Sequence, residues 1–448
     1  MSILTEKEAK ALLSRVLSFS KAESCQAQLN GQLSGNIRYA RNTVTTAGEV
    51  SDLTLAVTST YGKKTGVATI NEFDDASLEK VVRRSEELAK LAPDNPEFMP
   101  FIKPQKYDKA NTFFKSTAEV TPEMRAQAAE DSIAPSKKNK LVASGFLNDN
   151  HSMMAMMNSY GMFAYNESTD VSFSATIRTE DGRGSGWVTR DFSDYNKMDT
   201  AEASKIAIEK SLGSVDAKEL EPGKYTVILE PAASIGLLGN LAGAMDQRSA
   251  DEGRSFLSYK AKEGEKNPPK NKLGMKMFDE RVNIYSDPAH PEVPTAPFDG
   301  NGFPVKPIQW VKNGVVTTMP NSRYWAEKTG VPYVPTSAGG FQVIMEGGDE
   351  SLEDMIKNTR RGILVTRLWY IRQLDPQTLL YTGLTRDGTF FIENGKIKYP
   401  VKNFRFNESP IVMLNNIEAL GKPVRINGSM IPPMKVRDFT FSSLSDAV

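Results

Sequence analysis

Cys25-Gln26-Ala27-Gln28-Leu29-Asn30-Gly31 alternates small or apolar residues with polar ones, and Leu53-Thr54-Leu55-Ala56-Val57 does so again ahead of Tyr61-Gly62. A period of two is the mark of a half-buried strand. Asn30-Gly31 and Tyr61-Gly62 predict the turns between strands. Working outward, Thr5-Glu6-Lys7-Glu8 reads as a capping box, with Ala9, Leu12, Leu13 and Val16 following on one helical face. On the other side, Ser77 to Leu91 puts Leu78, Val81, Val82, Leu88 and Ala89 on one stripe and ends before Pro93. The opening segment therefore predicts helix, antiparallel strands, helix.

The rest of the chain extends that pattern. Pro93 to Pro104 is rich in proline and reads as a linker. Thr121 with Pro122 starts a helix that reaches Ala134. Val171, Phe173, Ala175 and Ile177 alternate as a strand, and a helix is expected near Ala201 to Leu212. Glu221-Pro222-Gly223 marks a boundary, followed by a strand through Tyr225, Val227 and Leu229 and a helix from Ala232 to Met245. Ser249 to Arg281 is polar and predicts a long mobile loop. Strands dominate beyond it, with a short helix from Ser351. The fold class is α+β: an N-terminal helix/antiparallel-sheet domain over 1–95, a central domain over 105–215 and a strand-rich, largely antiparallel domain over 220–448. No internal repeat of short period stands out.

Composition narrows the function. The chain has 448 residues, and its 55 Lys+Arg balance 55 Asp+Glu. Zero net charge argues against a general binder of nucleic acid or of anionic membranes. No apolar run is long enough for a membrane helix. Met1 to Ser20 carries Glu6, Lys7, Glu8 and Lys10, so no signal peptide is expected. Cys25 is the only cysteine, which suits a reducing compartment, and a cytoplasmic location is expected. The two histidines, His151 and His290, are far apart in sequence. A zinc hydrolase usually needs two about one helical turn apart with a glutamate between them.

Other chemical motifs read as structure. Arg183-Gly184-Ser185-Gly186 misses the first glycine of a nucleophile elbow and reads as a turn, as does Gly300-Asn301-Gly302. Cys25 reads as a small buried group, and Asp246, Asp251 and Glu252 as a solvated surface. Met153, Met154, Met156, Met157 and Met162 lie close to His151, a set that could bind Cu(I) but that more often packs.

Five segments carry a resemblance: Leu220 to Pro231 (LEPGKYTVILEP), Pro297 to Gly302 (PFDGNG), Thr382 to Gly388 (TGLTRDG), Phe391 to Val401 (FIENGKIKYPV) and Gly428 to Val436 (GSMIPPMKV). In content, order and spacing they resemble the TldD/PmbA family, peptidase-related proteins once described as modulators of DNA gyrase. In that family the TldD branch carries His-Glu-x-x-x-His on the helix after the strand that here is Tyr225 to Leu229, with a cysteine near the C-terminus as a further zinc ligand. The TldE/PmbA branch lacks the motif. Aligned on Gly236, Leu237 and Gly239, this chain has Glu230 and Ile235 where the histidines stand and Pro231 where the general-base glutamate stands. No cysteine follows Cys25. The resemblance thus implies a TldE/PmbA-like subunit of a zinc metallopeptidase, with no catalytic or metal residues and no cofactor of its own. Zinc is expected only in a TldD-like partner. The implied partners are that paralogue or a second copy as a dimer, and a peptide substrate. The alternative is a self-associating peptide-binding or scaffold protein. The apolar run Val365 to Ile371, flanked by Arg367 and Arg372, is either a covered core strand or a contact face. Arg367, Trp369, Tyr370, Arg372, Thr382, Gly383 and Arg386 are the residues expected to meet peptide or partner.

Overall fold

The computed structural model describes residues 3–445. Its first half is one antiparallel sheet of six strands: β1 (Ser24–Ala40), β2 (Thr43–Tyr61), β3 (Lys64–Ile70), β4 (Leu141–Asn158), β5 (Phe163–Thr179) and β6 (Ser185–Phe192), in the order β3-β2-β1-β4-β5-β6. The pairing of β1 with β4, from Gln26 opposite Asn158 to Tyr39 opposite Gly145, joins the segments on either side of the linker. Asn30-Gly31 is not a turn: Gly31 lies mid-strand, opposite Leu53 and Met153. Alternation continues past it through Ile37 and Tyr39, both buried. The chain reverses at Arg41 and Asn42, whose φ values of 49° and 60° are the positive pair that a tight hairpin turn requires.

One face of this sheet carries helices. α1 (Glu6–Ser18) has the Thr5/Glu8 capping box, and α2 (Asp75–Leu91) is capped by Asp74. Both lie over one end of the sheet, where Leu13, Val16, Leu78 and Val82 pack with Ala27, Leu29, Leu55 and Val57. α3 (Pro122–Lys138) starts on the Thr121 cap and runs beyond Ala134, carrying Pro135 within its last turn; α4 (Thr200–Gly213) is capped by Asp199. These two cover the other end through Ile133, Ala203 and Ile208 against Phe173, Ile177 and Val188. The opposite face is polar. Gln32 donates to Asn150 at 2.8 Å, Asn150 to Asp170 at 2.9 Å, and Ser34 to Asn148 at 3.1 Å. Period two also separates the methionines. Met153 and Met157 join the core beneath α1, whereas Met156 and Met162 pack with Ile102 and Phe298 on the other side. The methionines thus divide between two cores, and the His151 Nε2 lies 2.6 Å from Glu167.

The second half is built on a closed ring of strands. β7 (Gly223–Leu229) pairs in parallel with β8 (Arg361–Asp375), which pairs with β9 (Leu380–Glu393); β9 pairs with β10 (Phe404–Glu408), β10 with β11 (Met434–Leu444), and β11 returns to β7. Closure removes sheet edges along the paired stretches. A second sheet of short strands lies beside it, and both share one core with α5 (Pro231–Gly243). Ser249 to Arg281 forms only one short turn of helix but is anchored, because Phe256, Leu257 and Phe278 are fully buried. Asp251 accepts from the Trp325 indole at 2.8 Å, and Asp246 caps Ser249. The two halves are latched where Arg425 grips Asp191 of β6 at 2.9 Å, with the Asn427 and Gly428 amides donating to the same carboxylate. Among the described residues, no helix is long and apolar enough to cross a membrane.

Candidate functional site

The first turn of α5 sits at this seam. Pro231 occupies N1, where its missing N–H costs nothing. Glu230 is the N-cap residue, but its side chain does not cap. Its carboxylate instead accepts from the Lys210 ammonium of α4 at 2.8 Å on both oxygens, and from the Thr366 hydroxyl at 3.3 Å. Ile235 packs against the core. A zinc donor set needs imidazole, thiolate or uncommitted carboxylate groups. These three positions offer a proline, an alkyl side chain and a carboxylate already held by an ammonium, so they do not fit the ion. No group of three or more His, Cys, Asp or Glu residues that could hold a metal is found among the described residues.

β8 changes character at Arg367. Ile363, Leu364 and Val365 are buried, with β7 on one side and β9 on the other. Past Arg367 the pairing with β7 has ended and aromatic residues emerge: Trp369 is 40% and Tyr370 56% exposed. The covered-strand reading thus holds for the first part of β8, and the part beyond Arg367 is exposed. Tyr370 has a φ of 54° at an irregularity in the pairing, and the Arg372 guanidinium lies 4.3 Å from its ring centroid.

Arg367 and Arg386 meet at a residue that sequence reasoning missed. Asp387 is 1% exposed. It is ion-paired with Arg367, lies 3.8 Å from Arg386 and 3.9 Å from Arg178, and accepts from the Ser185 hydroxyl at 2.5 Å. Two of the cations stack on indoles, Arg367 over Trp187 at 4.3 Å and Arg386 over Trp369 at 4.2 Å. Burial lowers the pKa of Arg367. Asp387 opposes that shift, and Arg386 and Arg178 add to it. A cavity of about 390 Å³ adjoins the cluster and is lined by Ser185, Ser214, Asp387 and Lys402 among others. Thr382 lies away from Asp387, opposite Arg372 in the β8–β9 pairing and near Arg405, and Gly383 is needed for packing, since a Cβ there would fall 2.6 Å from the Phe406 ring.

A signal for Asp387 was present in the sequence. Asp387-Gly388 ends one of the five family segments, and both residues take positive φ, 53° and 118°. Ser185, Arg178 and Lys210 had no such signal, because their roles depend on how β5, β6 and α4 meet the ring of strands.

Protein-family models match along the chain: PmbA/TldA metallopeptidase domain 1 over residues 29–89, the central domain over 113–214 and the C-terminal domain over 222–443. The chain belongs to the PmbA/TldD metallopeptidase family. It is 23% identical over 415 residues to Metalloprotease PmbA of Escherichia coli O157:H7, covering 86% of each chain. It is 26% identical over 255 residues to a Zinc metalloprotease TldD homolog of Saccharolobus solfataricus, covering 52% of this chain and 50% of that one. The crystal structure of TldE from Thermococcus kodakarensis superposes with a TM-score of 0.84 at 18% identity, over 97% of this chain and 99% of the other.

Proposed function

We propose that this chain is a TldE/PmbA-type subunit of a TldD/TldE-type zinc metallopeptidase, and that it takes part in peptide proteolysis in the cytoplasm without holding zinc. The observation that carries this reading is the first turn of α5. Where the TldD branch has two ligands and a base, this chain has Glu230 clamped by Lys210, then Pro231 and Ile235. The subunit's contribution is to complete a dimer with a TldD-like paralogue and help enclose the partner's active site. The exposed end of β8, with Trp369, Tyr370 and Arg372, has the aromatic and arginine character of an interface anchor.

The test is to purify this chain alone and together with a TldD-like paralogue. Zinc content and chelator-sensitive cleavage of an unfolded peptide are then measured on each. The expected result is no stoichiometric zinc and no cleavage by this chain alone, with both present in the mixed complex. One tightly bound zinc per chain, with chelator-sensitive cleavage by this chain alone, would overturn the reading. The polar sheet face, with its row of side-chain amides, favours a second reading as a self-associating peptide-binding protein. A homodimer that captures peptide and ignores the paralogue would select it.

A further inference from the structure

A second cavity, of about 440 Å³, shares no lining residue with the one beside Asp387, and no role in the zinc reading falls to it. Three parts of the chain meet there. The β2–β3 hairpin supplies Thr58, Thr60 and Thr65 from the face that carries no helices, the linker supplies Phe98 and Phe101, and the second half supplies Tyr324, Tyr333 and Arg323. That volume is within the usual range for a small organic ligand.

Arg323 gives the cavity its chemistry. It lies over the Phe303 ring at 5.1 Å and donates from one terminal nitrogen to the Pro100 carbonyl at 2.7 Å. It has no carboxylate within ion-pair distance among the described residues, and burial lowers its pKa. Of the acids around it, Glu97, which lines the cavity, and Asp299 are engaged elsewhere, and Glu327 acts on it only from beyond ion-pair distance. Glu97 is held by Arg248 at 2.9 Å. Asp299 accepts from the Tyr333 hydroxyl and from the Asn301 and Phe303 amides at 2.9 and 2.8 Å. A guanidinium so placed keeps donors in the fork geometry that matches a carboxylate. One cation, with no lysine lining the cavity, suits a single negative charge better than a phosphate dianion. Aromatic side chains around it suit an apolar body.

We propose that this cavity binds a monocarboxylate with an aromatic or apolar body, its carboxylate on Arg323. A free peptide C-terminus and a free organic acid share that chemistry. The full-length chain is therefore titrated by calorimetry with Ala-Ala-Phe, with its C-terminal amide, and with phenylacetate. Loss of a charge-assisted bidentate contact weakens binding by about tenfold or more. The tripeptide acid should bind at least that much more tightly than its amide. Binding of phenylacetate but not of the tripeptide assigns the site to free acids and keeps the proposal. Equal binding of acid and amide, or binding of none of the probes, overturns it. Arg323→Lys keeps the charge, removes the fork and should weaken binding. Because Arg323 also braces the linker, Thr65→Trp provides a second variant that fills the cavity from the hairpin and leaves the arginine in place. Wild-type affinity in Thr65→Trp would place the ligand elsewhere and overturn the proposal.

Discussion

Asp149 and Asp387 are both buried carboxylates that meet arginine, in two different settings. Asp149, on β4, is gripped by Arg125 of α3 through Nε at 2.6 Å and a terminal nitrogen at 3.0 Å, and Arg125 also reaches Glu49 at 2.9 Å. Inside the first half, one cation faces two acids, and all three groups lie on strands and helices of one sheet unit. Asp387 lies on the ring of the second half and draws in Arg178 and Ser185 from the first. There one acid faces three arginines. The first arrangement fixes an internal packing, whereas the second gathers arginines from both halves around one carboxylate at a seam.

The largest effect is expected from Arg125→Met, which leaves Asp149 buried without its counter-ion. Breaking one side of a buried pair costs about 3–5 kcal/mol. Urea unfolding should show a loss of that order, insensitive to added salt. A loss under about 1 kcal/mol would remove the contrast drawn between the two carboxylates. Asp387→Asn comes next, at about 1–3 kcal/mol. Urea unfolding should show it as a smaller loss than that of Arg125→Met. A loss as large as that of Arg125→Met would place the two carboxylates on the same footing. Arg372→Ala, at the exposed end of β8, should change stability by less than about 0.5 kcal/mol. It should still weaken assembly with a TldD-like paralogue, as read by size-exclusion chromatography; unchanged assembly would move the contact face elsewhere.

The smallest effect concerns pH. His290 has its pKa lowered from 6.5 chiefly by burial, and its Nδ1 accepts from the Glu292 amide, which requires an unprotonated nitrogen. The unfolded chain therefore takes up this proton first as pH falls. The stability that neutral His290 contributes is complete above pH 6.5 and is lost as pH drops through the lowered folded value. His290→Asn should flatten that part of the melting-temperature profile. An identical slope in the variant would show that His290 does not contribute to it.

The sequence made the first half legible where a local rule was enough. Thr5/Glu8, Thr121/Pro122 and the alternation at Leu53 to Val57 each fix an element from neighbours a few residues away. The rule failed at Asn30-Gly31, because a glycine inside a long strand looks the same in sequence as a glycine in a turn. The site was half legible. Arg367 and Arg386 stood out by type, and Glu230, Pro231 and Ile235 by resemblance. Asp387 was visible only as part of the segment Thr382 to Gly388, and Ser185 read as a turn residue. Gly186 hides a similar long-range constraint: a Cβ there would lie 2.0 Å from the Ala207 carbonyl, which sets how closely α4 approaches β6 and hence where Lys210 reaches Glu230.

The β1–β4 pairing has a consequence for how the chain is made. β1 ends at Ala40 and β4 begins at Leu141, so a ribosome must add about 100 residues before the partner strand exists. During that interval β1 presents a long edge able to pair with any extended chain nearby. A fragment that stops in the linker keeps the edge permanently, and one that starts after it leaves β4 with the same defect. The chain can be divided on paper near residue 100, but in synthesis neither piece is finished until the other arrives.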